Sequence, residues 1–143
     1  MTNSSILKIL VLGAVILGLG VFVLWRNAAQ HPQSAPTEIV VPQFSAVAAA
    51  GEIAFNKNCA ACHGQNGAGT DQGPPLIHNI YNPGHHADMS FHLAVRRGVP
   101  QHHWPFGSMP AQPQVSDEEV DRIIVYVREL QAANGIQFQK HQM

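Results

Sequence analysis

Cys59-Ala60-Ala61-Cys62-His63 is the stretch of this 143-residue chain whose residue types and spacing most constrain a chemistry. Two thiols three positions apart add across the two vinyl groups of one haem as thioethers. The imidazole that follows is then carried to the iron from one face, and C-x-x-C-H is the attachment pattern of c-type haem. Two other chemistries share part of the pattern. A thioredoxin-like redox pair also uses C-x-x-C, but belongs beside a βαβ unit that this chain lacks. A zinc site could take Cys59, Cys62 and two histidines, yet no second pair has a convincing ligand spacing. With only 2 Cys, a disulfide scaffold and a four-thiolate zinc site are both excluded. Haem is the strongest of these readings.

The chain has 9 His, many for its length. His85-His86 and His102-His103 form two adjacent pairs that invite a second metal, since imidazole suits copper and zinc. Against that stands their place in loops of a Lys-poor domain, where exposed histidine is common. The pairs receive no role from the sequence alone.

Three helices must position the motif. Residues 46–58 are Ala-rich, with Gly51 and Phe55 four apart on one face, and they lead directly into Cys59. Residues 88–97 offer Asp88 or Ser90 as an N-cap, Phe91 and Val95 on one face, and Gly98 as a stop. The clearest helix is the last. Ser116 and Glu119 form an S-x-x-E capping box, and Val120, Ile123, Ile124, Val127 and Leu130 recur at helical spacing before Asn134-Gly135 ends it. Loops dense in Gly and Pro, residues 64–83 and 99–115, lie between, and no strand or repeat is predicted. A domain this small and this irregular has a thin side-chain core. A buried cofactor is expected to complete it.

These residues, in this order, resemble the class I cytochromes c over about residues 46–131. Gly51 and Phe55 before Cys59-Ala60-Ala61-Cys62-His63-Gly64 are similar to the family's first helix and haem motif, and Tyr126 to the aromatic of its last helix. Gly73-Pro74-Pro75-Leu76 is similar to its G-P-x-L segment, and Gly107-Ser108-Met109-Pro110-Ala111 to its methionine loop. The resemblance implies an all-α cytochrome c fold of three or more short helices with long loops around one haem. It implies covalent attachment through Cys59 and Cys62, His63 and Met109 as the axial ligands of the iron, and the Pro74 carbonyl orienting the His63 ring. Pro100, Pro105, Pro110 and Pro113 stiffen the loop of Met109, which favours it over Met89, expected to be a packing residue, and over Met143 in the polar tail. Arg96, Arg97 and Trp104 are expected near the haem propionates, as basic and indole donors are in similar proteins.

Charge and hydropathy bound the remaining possibilities. Charged residues make up 12% of the chain, about half the usual ~25%. After Arg26 the balance is acidic, so no basic stripe for nucleic acid exists. Ile6 to Trp25 is apolar apart from Lys8 and would span ~30 Å as a helix, the thickness of a bilayer core. Lys8, Trp25 and Arg26 lie where interfacial anchors are favoured. The expected organisation is therefore a single transmembrane anchor or cleaved signal at residues 1–27 and a Pro-containing linker at 28–43. A cytochrome c domain at 44–134 and a polar tail at 135–143 follow. The expected function is electron transfer, without enzymatic activity. The carrier is tethered to the bacterial inner membrane with its haem domain on the periplasmic side, and exchanges electrons with redox partner proteins in a respiratory or related chain. The alternative is a haem sensor or catalyst with a labile Met109 bond.

Overall fold

The computed structural model describes residues 12–13, 16–22 and 38–140. It divides into two compact units, Met1–Thr37 and Glu38–Met143. In the first, residues 12–13 and 16–22 are helical, and Leu12, Ile16, Leu17, Leu19 and Val21 are exposed. Among the described residues no helix is long and apolar enough to cross a membrane. Most of the expected span from Ile6 to Trp25 lies outside the described residues, as do linker residues 28–37 and Met143.

The second unit begins at Glu38. Helix α1 (Ala46–Asn58) starts at Ser45, whose hydroxyl accepts from the Ala48 N–H and donates to Glu129 at 2.6 Å. The short helix α2 (Ala60–His63) follows after Cys59, α3 spans Asp88–Arg97, and α4 spans Asp117–Ala133. Two 3-10 turns, Gln65–Gly67 and Asn79–Tyr81, punctuate the loop between α2 and α3. The Ser116–Glu119 capping box is formed at the start of α4. At its end Gly135 takes φ 76°, a left-handed conformation that glycine adopts without a Cβ penalty.

The core is the crossing of α1 and α4. Phe55 and Tyr126 are both fully buried, their ring centroids 5.4 Å apart, with Phe44 5.1 Å from Tyr126 on the other side. Gly51 makes this crossing possible, because a Cβ there would overlap the Arg122 carbonyl. Gly51→Ala must push two helix backbones apart. It is expected to cost about 1–3 kcal/mol and to lower the melting temperature by on the order of 10 °C, read by thermal circular dichroism.

Two local expectations are corrected. The N-cap of α3 is Ala87; Asp88 lies in the first turn and accepts from Arg128, while the Ser90 hydroxyl donates to the Ala87 carbonyl at 2.6 Å. Met89 is 62% exposed, so it does not pack. At the domain end of the linker, Asn134 exchanges side-chain hydrogen bonds with both backbone groups of Val40, and Ile39 packs on the core.

Candidate functional site

Helix α1 delivers the motif. The Cys59 N–H still donates to the Phe55 carbonyl at 2.8 Å, and the Cys59 carbonyl in turn accepts from Cys62 and His63 at 3.1 and 2.9 Å. Cys59, Cys62 and His63 therefore share one turn. Gly64, at φ 75°, ends it, and the chain folds back so that the Gly69 N–H donates to the His63 carbonyl at 2.6 Å. Thr70 fastens the return, its hydroxyl donating to the Cys62 carbonyl at 2.6 Å. Gly73 passes close to Cys62, where a Cβ would stand 3.0 Å from that same carbonyl oxygen.

This return carries Pro74 to His63. The His63 Nδ1 lies 2.9 Å from the Pro74 carbonyl oxygen. A carbonyl only accepts, so the proton sits on Nδ1 and the Nε2 lone pair is left for a metal. Burial holds the His63 pKa below the usual imidazole value, against the opposing pull of the Pro74 hydrogen bond. At neutral pH the ring is uncharged and competent to ligate.

Met109 comes from a different element. Val99 and Met109 form an antiparallel bridge, each N–H donating to the other's carbonyl at 2.9 Å, so residues 100–108 make a closed excursion with Met109 at its base. Gly98 at φ 72° lets the chain pass Met109 closely, since a Cβ there would overlap the Met109 carbonyl. Cys59, Cys62, His63, Pro74 and Met109 all line one cavity of about 530 Å³. That volume is within the ~300–1,000 Å³ of cofactor-sized pockets. Phe91, Val95 and Ile123 contribute apolar wall. Two thiols, a neutral imidazole, a thioether and an apolar wall fit a haem held by thioether links.

The thiol chemistry weighs against a redox dithiol. Burial, and after it Cys62, pushes the Cys59 thiol up to about 11, whereas an attacking cysteine needs a depressed pKa. The group of His, Cys, Asp and Glu atoms placed to share an ion among the described residues is His85, His86 and His103, with neither Cys in it.

The cytochrome c family model matches residues 48–131, most of the second unit. The chain belongs to the cytochrome c family. Comparisons with curated proteins and with solved structures gave no match. As a cytochrome c it carries haem c and serves haem-based electron transfer, the typical work of this domain being to carry electrons rather than to catalyse. The all-α reading agrees with the helical second unit.

The three residues expected at the propionates part company in this cytochrome c. Arg97 and Trp104 line the cavity. Arg96 does not: its guanidinium is spent on Asp117 at the start of α4, with Nε donating at 3.1 Å. Trp104 donates instead to the Tyr81 hydroxyl at 3.1 Å and meets His78 edge-on at 5.1 Å.

Arg128 and Gln131 are positioning residues that the sequence patterns do not single out. Arg128 donates to the Tyr81 and His86 carbonyls, to Asp88 and to Gln131. Gln131, fully buried, donates to the Leu76 and Tyr81 carbonyls at 3.0 Å each. Together they tie α4 to the loop that forms one side of the cavity. A weak signal is present: both break the apolar stripe of α4 at positions where that stripe faces inward.

Proposed function

We propose that this cytochrome c is a membrane-tethered, single-haem electron carrier, with His63 and Met109 as the two axial ligands and Cys59 and Cys62 as the covalent attachment. The observation that supports it most is the cavity shared by these four side chains, three from the single turn after α1 and Met109 from the distant Val99–Met109 bridge. When bound, haem supplies a one-electron iron couple. The chain's own residues do the rest. Cys59 and Cys62 hold the group at the end of α1, and Pro74 keeps the His63 lone pair available by binding its Nδ1 proton. The Val99–Met109 bridge holds the thioether at the cavity, and the apolar wall excludes water, which favours the less charged state of the iron site. With both axial positions filled, no position is open to substrate, in keeping with a carrier and not an enzyme.

The tether is proposed from Ile6 to Trp25, and the haem domain is assigned to the periplasmic side of a bacterial inner membrane, exchanging electrons with redox partner proteins. The exposed apolar residues between Leu12 and Val21 suit lipid contact. Two measurements test the proposal. The full-length protein is expected to stay in the membrane fraction after high-salt and alkaline washing; a mature N-terminus after residue 26, found by mass spectrometry, would replace the anchor with a removed signal. A visible spectrum is expected to show the narrow ferrous bands of thioether-linked haem with the weak far-red ferric band of methionine ligation. Absence of a Soret band would overturn the haem assignment.

A further inference from the structure

Two histidine pairs, separate in the chain, close on each other at the rim of the cavity. His85 and His86 lie on the turn after Asn79–Tyr81, and His102 and His103 on the excursion between Val99 and Met109. The Nε2 atoms of His85 and His103 are 3.4 Å apart. One ligand atom from each of His85, His86 and His103 falls within 4.8 Å of the others. A hydrogen bond donated by N–H is ordinarily about 2.9–3.0 Å long. A tetrahedral ion with metal–nitrogen bonds of about 2.0–2.1 Å sets its ligand atoms about 3.3–3.4 Å apart. The His85–His103 separation matches an edge of that tetrahedron better than it matches a mutual hydrogen bond. We propose that His85, His86 and His103 form a binding site for one divalent transition ion, Zn(II) or Cu(II), at the rim of the haem cavity.

The surroundings of the three rings are those of a built site. The His86 Nδ1 lies 2.8 Å from the Ile80 carbonyl, which places its proton on Nδ1 and leaves Nε2 as the ligating atom. The turn beneath is fixed through its backbone. The carbonyl of Asn82, a buried residue, accepts from the His85 and His86 N–H groups at 3.0 and 2.9 Å, and its side chain accepts from Gly84 at 2.8 Å. Arg128 clamps the far side by donating to the His86 carbonyl at 2.6 Å. The backbone of His85 and His86 is thus held whatever occupies the site, and only side-chain torsions of the three rings need to change to close it.

The donor set selects the ion. The three ligands are imidazoles with no carboxylate among them, which suits borderline transition ions and disfavours calcium and magnesium. His102 stands beside the group, its Nδ1 2.9 Å from the Pro100 carbonyl and its ring 4.3 Å from that of His103. The fourth tetrahedral position is then left to water.

The site stands independently of how the haem iron is ligated, and its test separates the two. Detergent-solubilised holoprotein, stripped of metal with a chelator, is titrated with Zn(II) in a calorimeter and should take up one equivalent. His85→Ala and His103→Ala remove exposed rings and should each weaken binding by ~100-fold or more, since losing even an outer-shell partner costs about 10–100-fold. Cu(II) added to the ferric protein should give an electron paramagnetic resonance spectrum with nitrogen superhyperfine splitting, lost in both variants. An unchanged visible spectrum certifies that the variants keep their haem and fold. Zn(II) affinity unmoved by His85→Ala and His103→Ala, or uptake no greater than in the His85→Ala/His86→Ala/His103→Ala triple variant, overturns the proposal.

Discussion

Replacing Met109 by alanine is expected to open the iron to carbon monoxide and to lower the midpoint potential. The unmutated reduced protein should not bind carbon monoxide at neutral pH, because His63 and Met109 leave no position free. The substitution removes only the thioether, since both backbone groups of residue 109 remain engaged with Val99. The fold should therefore survive, and the spectroscopic change can be assigned to the ligand. A soft thioether favours ferrous iron, so its loss should move the potential down by a sizeable part of the roughly 0.8 V that axial ligands span. The weak far-red ferric band should vanish with it. His102 and His103 line the same cavity on the same loop and are the replacement ligands once the thioether is gone. Rapid binding by the unmutated protein would instead favour the sensor or catalyst.

Removing both thiols should cost the protein its fold as well as its cofactor. The cavity is about 530 Å³. Without haem its apolar wall faces water, and a domain held by only ~5–15 kcal/mol has little margin to leave so much apolar surface uncovered. Cys59→Ala/Cys62→Ala should therefore lose most helical circular dichroism and its cooperative melting transition. Either single variant should keep a poorly held haem that acid–acetone partly extracts, whereas the parent should retain one haem by mass. A cooperatively melting, fully helical double variant would show that α1 and α4 alone make the core.

The parts legible in the sequence are those whose physics is local. A capping box followed by apolar residues at helical spacing names α4, and Asn134-Gly135 its end. The three motif residues are legible because one helical turn contains them all. Met109 and Pro74 are not local to the motif, and only the likeness to a family connects them to it. The Val99–Met109 bridge left no trace, because a two-residue pairing between prolines has no alternating pattern to betray it. Arg96 departs from its expected place because its partner, Asp117, is distant in sequence and adjacent only after α3 and α4 pack. The same holds for the histidines: each pair is visible as a dipeptide, but their meeting is a property of two loops brought together.

The bridge at Val99 and Met109 has a further consequence, for hydrogen exchange. Its two amides are protected by each other's carbonyls and by no helix or sheet. Neither can exchange with solvent unless the excursion from 100 to 108 opens. The free energy of that opening is a local quantity, smaller than or equal to the global one. The exchange rates of these two amides thus measure how often the thioether is withdrawn from its place, in a protein otherwise fully folded.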